Sequence, residues 1–134
     1  PLLHDGSLNF SFSGLKTAVR YHLDKHGQPK GRARHDFCAS FQQAIVDVLV
    51  AKSVAAATKY RAQTFILGGG VAANTALRNQ LTDALATGRP KVHLRLPNLA
   101  YCGDNAMLAA LPGYYLKPKP TTWKTLGPDP NLSL

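Results

Sequence analysis

Three glycines stand together at Gly68–Gly70, directly after the apolar run Thr64-Phe-Ile-Leu67 and directly before Val-Ala-Ala-Asn74. Glycines at the end of a buried strand allow positive φ, and without a Cβ they leave the main chain open to a ligand. A helix that follows adds unpaired N–H groups and the positive end of its dipole. The combination suits an anion, typically a phosphate. Asn74 falls at or just inside the helix start, where its amide either caps the helix or faces a ligand. A tight strand–helix turn with Asn74 as a plain cap is the alternative, but a turn does not require three successive glycines. The stretch from Gly68 to Ala73 also fits G-x-G-x-x-A, a dinucleotide fingerprint. That motif needs an acidic residue about 20 positions on, at the end of the next strand, to hold the ribose. The next strand here runs from Lys91 to Leu96 and is followed by Pro97 and Asn98, with no Asp or Glu. The dinucleotide reading is therefore set aside.

Other residues offer chemistry of their own. Asp104 follows the loop Pro97 to Gly103 and precedes Asn-Ala-Met-Leu; an Asp there caps a helix or ligates a cation. His22 and His26 are spaced i,i+4, which can bind zinc on a helix. They stand beside Lys25 at a helix end, where histidine also suits the dipole, so a solvated helix end is the stronger reading. Cys38 and Cys102 lie far apart with no C-x-x-C, which reads as two reduced thiols. His4, His35 and His93 belong to no motif, and no nucleophile–base pair has a recognisable spacing. Sixteen Lys+Arg against seven Asp+Glu give a net charge of +9. A surplus of that size favours polyanionic partners, with RNA or a nucleotide first.

These residues must be carried by a frame, and 134 residues are enough for one core. No run approaches the roughly 18 apolar residues of a membrane span, and no signal peptide opens the chain. The chain starts at Pro1 without an initiator Met and reads as a piece of something longer. Leu8, Phe10 and Phe12 alternate with polar residues, so Ser7–Ser13 is expected to be a short strand. Leu15, Ala18, Val19, His22 and Leu23 give a helix from about Leu15 to Lys25, stopped by Gly27 and Pro29. The basic loop 27–34 follows. Asp36 is expected to cap a helix of roughly 24 residues, about 36 Å long. Its apolar face is Phe37, Phe41, Ala44, Ile45, Val48, Leu49, Ala55 and Ala56, and it ends near Tyr60. Strand Thr64–Leu67 leads through the glycines to a helix with Leu77, Leu81, Ala84 and Leu85 on one face, ending near Gly88. Lys91–Leu96 is a half-buried strand with Val92, Leu94 and Leu96 inward. Asp104 caps a short helix, Asn105–Leu111, ended by Pro112 and Gly113. Residues 1–113 thus form the folded portion, and 114–134 an irregular tail with its aromatic residues tucked in. The class is α/β with more helix than sheet.

Three motifs occur in one order: Asn9-Phe-Ser-Phe-Ser-Gly-Leu-Lys-Thr17, Gly68-Gly-Gly-Val-Ala-Ala-Asn74 and Cys102-Gly-Asp-Asn-Ala-Met-Leu-Ala109. From about Leu8 to Leu111 the chain closely resembles the second lobe of the tRNA adenosine threonylcarbamoyltransferase family, formerly labelled O-sialoglycoprotein endopeptidases. The resemblance implies the helix-rich part of an actin/Hsp70/sugar-kinase-like (ribonuclease H-like) lobe facing a nucleotide cleft. It implies transfer of a threonylcarbamoyl group from its adenylate to the N6 amine of the adenosine beside the tRNA anticodon. Gly68, Gly69 and Gly70 would then lie against the nucleotide part of the adenylate, and Asn74 would contact the same ligand. Asp104 would complete a site for one divalent metal, iron or zinc. Most of that metal's ligands, a histidine pair spaced H-x-x-x-H among them, would lie outside this chain. His22 and His26 do not match that pair. No role passes to Ser13, Gly14 or Lys16. The implied partners are tRNA, threonylcarbamoyl-adenylate, an actin-like partner protein and a small ATPase, with no membrane, in the cytoplasm. The alternative is a non-catalytic nucleotide-binding paralogue of the same fold acting as a scaffold; a sugar- or acetate-type kinase does not account for the motif set. One carboxylate makes a poor metal site, so the chain by itself is expected to be inactive.

The cluster Lys25, His26, Lys30, Arg32, Arg34 and His35 could grip tRNA phosphates, which gives affinity without reading sequence, or stand as a solvated basic loop. Replacing Lys30, Arg32 and Arg34 by Ser in the complete protein should weaken tRNA binding and flatten its dependence on salt. Binding isotherms at several ionic strengths measure both, and unchanged values remove the cluster from the interface.

Overall fold

The computed structural model describes residues 3–88, 92–117 and 127. They form two compact units, Pro1–Gly103 and Asp104–Leu134. The first unit holds α1 (Ser13–His26), α2 (Gly31–Lys59), β1 (Thr64–Ile66), α3 (Thr75–Gly88) and β2 (His93–Arg95), with 3-10 turns at Gly70–Ala73 and Leu99–Tyr101. β1 and β2 pair in parallel with Thr64 opposite His93, Phe65 opposite Leu94 and Ile66 opposite Arg95. A parallel pair needs a crossover, and α3 is that crossover. The class is mixed α/β, as the sequence pattern leads one to expect.

α3 meets the core through Leu77, Leu81 and Leu85, spaced i, i+4, i+8 and each 2% exposed or less. Leu81 and Leu85 pack on Ala57 of α2, with Val50, Val54, Phe65, Leu67, Val92 and Leu94 around them. The alanine at 57 lets the two helices approach closely there. On their outer edge Gln43 and Gln80 exchange a reciprocal pair of amide hydrogen bonds, each 2.9 Å. The sheet alternates as a half-covered sheet must. Phe65 and Leu94 turn inward, while Ile66 on the other face is 74% exposed.

α2 is longer and less one-sided than its sequence pattern suggests. It spans 29 residues and begins at Gly31, so the second half of the expected basic loop is helical. Asp36 is not its cap; it lies on the solvent face 3.9 Å from Arg32, one turn earlier. Arg32, Ala33 and Arg34 are good helix formers and carry the helix past a residue that could have started it. Val46 and Ala57 are buried and Ala55 is exposed, so the face expected from periodicity is shifted. Leu96, expected inward, is 38% exposed because β2 ends at Arg95. By length and mean hydropathy α2 could cross a membrane. It carries Gln42, Gln43, Asp47 and Lys52 and supplies the core contacts above, as a core helix does.

Residues 7–13 are not a strand. Their side chains bond locally, Ser7 N–H to Asp5 Oδ1 (3.2 Å) and Asn9 N–H to Ser7 Oγ (3.1 Å), which holds the backbone in turns. The turn is tied to α2 by Lys52, only 7% exposed, which donates to Asp5 Oδ1 at 2.5 Å and to the Ser7 carbonyl. α1 ends at Gly27 with φ +76, close to the expected stop.

The second unit contains α4 (Met107–Leu116). Asp104 does not cap it. Its N-cap is Ala106, without a side-chain bond; Asn105, one residue further out, accepts from Met107 N–H through its Oδ1 at 3.0 Å. The helix continues through Pro112. Ala110 N–H to Ala106 O (2.9 Å) before the proline and Lys117 N–H to Gly113 O (3.2 Å) after it keep the ladder going, so Pro112 removes only its own bond. Tyr114 and Tyr115 stack edge to face and are 72% and 76% exposed, not tucked in. Most of the expected tail, Trp123 included, lies outside the described residues.

The Lys52 bond, then the Ser7 hydroxyl, hold the Asp5 carboxyl below its ordinary 3.8, at about 2. A depressed carboxylate pKa stabilises the fold above the unfolded value, and that contribution is lost as pH falls through the folded one. The pair should therefore contribute fully above about pH 4 and fade toward pH 2. Asp5→Asn should remove that part of the acid dependence. Unfolding followed by circular dichroism across this range measures it, and identical acid slopes in both proteins would refute the assignment.

Candidate functional site

Because β1 and β2 are parallel, their C-terminal ends lie on the same side. Ligands of open α/β sheets bind outside those ends. The loop leaving β1 is Leu67–Gly70, and the loop leaving β2 is Leu96–Cys102. The first is fixed to the sheet by Leu67 N–H to Arg95 O, 3.1 Å.

The glycines do not open α3 directly. Gly69 takes φ +77 and ψ −179, a region closed to residues with a Cβ, and turns the chain into the 3-10 helix Gly70–Ala73. Ala72 N–H bonds Gly69 O and Asn74 N–H bonds Val71 O, both at 3.0 Å. Only then does α3 begin. The expected strand–glycine–helix junction thus contains an extra turn, and amides expected to be free for a ligand are partly engaged within it. Gly68 and Gly70 have no such backbone demand. A Cβ on Gly68 would meet nothing within 4 Å, and one on Gly70 would lie 3.9 Å from Cys102 O. All three glycines are exposed.

Asn74 caps α3. Its Oδ1 accepts from Leu77 N–H at 2.9 Å, and its Nδ2 donates to Gln42 Oε1 of α2 at 3.2 Å. The Leu77 amide needs an acceptor, which fixes the orientation of the side chain. One Nδ2 hydrogen remains beyond these bonds.

Arg78, one turn into α3, carries no motif and is missed by sequence reasoning. Its Nε donates to Ala72 O; its Nη2 donates to Pro97 O at 2.6 Å and to Cys102 Sγ at 3.2 Å. One guanidinium thus joins the 3-10 turn after the glycines to the loop after β2. Cys102 is buried, its thiol also donating to Asn98 O at 3.5 Å, and it fills the loop. Both cysteines are free thiols.

Asp104 is the first residue of the second unit and is exposed. Among the described residues no three His, Cys, Asp or Glu side chains come together as metal ligands. The residues present do not make a metal site by themselves. His22 and His26 have ring centroids 4.7 Å apart, and His22 also stacks on Phe37 of α2 at 5.3 Å. That contact ties α1 to α2 and accounts for His22 without a metal. The basic cluster spans the end of α1, the connection 27–30 and the first turns of α2, and all six of its side chains are exposed.

An apolar hollow of about 570 Å³ adjoins the glycine loop. Phe10, Phe12, Phe41, Ile45 and Leu77 line it, with Lys16 and Gly68 among its polar and bare walls.

The family model described as tRNA N6-adenosine threonylcarbamoyltransferase matches residues 1–111. Relatives bearing that name include one from Geobacter sulfurreducens, 51% identical over 118 residues, which are 87% of this chain and 34% of the relative. One from Trichlorobacter lovleyi is 53% identical over 84% of this chain and 33% of its own length. One from Sorangium cellulosum is 48% identical over 80% of this chain and 30% of its own length. The chain thus spans about a third of the length of the relatives it matches.

Backbone conformation distinguishes the three glycines. Gly69→Ala should lower stability by about 1 kcal/mol or more through its positive φ. Gly68→Ala and Gly70→Ala should stay within about 0.5 kcal/mol, since neither new methyl meets a clash. Urea unfolding of the three variants decides it; equal losses at all three would show that the turn needs every glycine.

Proposed function

The chain belongs to the tRNA N6-adenosine threonylcarbamoyltransferase family, and from that membership we propose that it is part of a tRNA-modifying transferase. The complete protein moves a threonylcarbamoyl group from threonylcarbamoyl-adenylate to the N6 amine of the adenosine beside the anticodon. The observation that carries this for the chain's own residues is the pair of bare glycines. Gly68 and Gly70 are free of any backbone requirement, exposed, and set at the C-terminal end of a parallel strand. Their use is close approach of a ligand to main chain, and the nucleotide part of the adenylate is that ligand.

Gly68, Gly69 and Gly70 line the nucleotide, and Asn74 reaches it with the Nδ2 hydrogen left over from capping. Asp104 contributes one carboxylate to a divalent metal, iron or zinc, whose other ligands lie in the remainder of the protein. When bound, that metal would polarise the threonylcarbamoyl group as a Lewis acid. This chain's own part is to hold the donor by its nucleotide end, and alone it is inactive.

The basic face supports tRNA as the acceptor. Lys30, Arg32 and Arg34 stand at the positive end of α2, where cations oppose the helix dipole. Their helix propensity and the Arg32–Asp36 pair offset that repulsion only in part, and tRNA phosphates would satisfy the remaining charge. An actin-like partner protein and a small ATPase complete the system by family analogy, in the cytoplasm.

The test is tRNA modification by the complete protein. Asn74→Ala and Asp104→Ala should each lose most activity. Asn74→Ala also loses a helix cap, at a cost of about 1 kcal/mol, whereas Asn74→Ser keeps a capping oxygen. The Ser variant should therefore recover stability without recovering activity. Full activity in both Ala variants would sink the assignment.

A further inference from the structure

Arg78 is the best-connected cation of the first unit, and no motif accounts for it. It sits on α3 between the two loops that leave the C-terminal ends of β1 and β2. Its Nε bonds Ala72 O in the turn that follows the glycines. Its Nη2 bonds Pro97 O, at the start of the second loop, and Cys102 Sγ, at the end of it. The same loops meet a second time where a Cβ on Gly70 would lie 3.9 Å from Cys102 O. Two of the acceptors are main-chain carbonyls, so the guanidinium fixes backbone to backbone. Here Nε serves one loop and Nη2 the other, and the single nitrogen of a lysine lacks that planar two-atom spacing.

We infer that Arg78 is a positioning residue for the donor: it clamps the glycine turn onto loop 97–102, so that the two loops receive the nucleotide end of threonylcarbamoyl-adenylate as one rigid wall. This rests on the functional reading above for the identity of the ligand, but not for the clamp. Arg78 touches no reacting group in this role. The adenosine part of the donor is separated from the threonylcarbamoyl carbon by the departing phosphate, so a wall that holds adenosine and is loosened weakens ground state and transition state alike. Uniform loss of binding raises KM and leaves kcat in place.

The experiment compares wild type, Arg78→Lys and Arg78→Ala in the complete transferase, with threonylcarbamoyl-adenylate as the varied substrate. Both variants should raise the KM for the donor on the order of tenfold with kcat within about twofold. Added ethylguanidinium should lower the KM of Arg78→Ala toward wild type, and ethylammonium should not. A KM unchanged in both variants, or a fall in kcat with KM unchanged, would overturn the positioning role. Amide hydrogen exchange reads the clamp without the donor. Ala72, Asn74, Tyr101 and Cys102, whose amides close the two 3-10 turns, should exchange faster in Arg78→Lys while the middle of α3 stays protected. If wild type fails to modify tRNA but the exchange change is seen, the functional reading has failed and the clamp stands. If exchange at those amides is unchanged, the clamp falls whatever the activity. Should Arg78→Ala not fold, Arg78→Lys still carries both readouts.

Discussion

Leu81 and Leu85 project from α3 onto Ala57 of α2, and Phe65, Leu67 and Leu94 of the strands and their exits close over the same cluster. Everything at the glycine end is positioned from this contact. β1 and β2 are only three residues each, and two short parallel strands are not stable alone. Burial of an inward leucine or phenylalanine contributes roughly 1.5–3 kcal/mol, which makes the helix-covered face, not the ladder, the term that holds the strands in register. With the register fixed, the two strand exits must lie side by side. The Gln43–Gln80 amide pair and the Asn74–Gln42 bond extend the helix–helix contact toward the N-terminus of α3, so the turn that carries the glycines is braced from α2 as well.

The polar interactions near that end differ in kind from the core. Leucine packing tolerates small shifts, whereas a guanidinium between carbonyls has direction and length. Arg78 therefore specifies how the loops sit, while the leucines specify that the helix sits there at all. The Lys52–Asp5 pair does comparable work at the opposite edge of α2, tying residues 5–7 to the helix. Its buried lysine has both a carboxylate and a carbonyl as partners, as a charge removed from water requires.

The sequence was informative where one periodicity dominated. α3 was legible because Leu77, Leu81 and Leu85 form a clean stripe; β1 was legible as a short apolar run ended by glycines, and β2 as an apolar–charged alternation between two prolines. Residues 7–13 misled because an alternating pattern is necessary for a strand but not sufficient. Asp5 and Ser7 offered the backbone local partners first, and no pattern announces that. Asp36 and Asp104 misled in the same way: each is a good cap by type, but the helix started earlier in one case and later, after Ala106, in the other. At the site, the glycines and Asn74 were visible because their chemistry depends on neighbours in sequence. Arg78 was not, since its partners lie six, 19 and 24 residues away and two of them are main-chain carbonyls that every residue possesses.

The start of α2 shows what such misreadings can carry. A helix begun at Asp36 would have had a side-chain cap and an acidic residue at its positive end. The helix instead begins six residues earlier, on Lys30 as an N-cap without a side-chain bond, and its first turn has no acid. The added residues Gly31–Arg34 are all exposed, so no apolar burial offsets the lost cap. What the extension does achieve is geometric. Arg32 and Arg34 leave a loop, where their positions would average over many conformations, and take fixed places on a rigid helix whose own dipole adds to their field. If this surface meets a phosphate backbone, as proposed, cations held in place before contact would lose less side-chain and loop entropy on binding. The same helix that supplies Ala57 to the core thus presents ordered positive charge at its far end, which joins the basic surplus of the chain to the packing that holds the glycine turn.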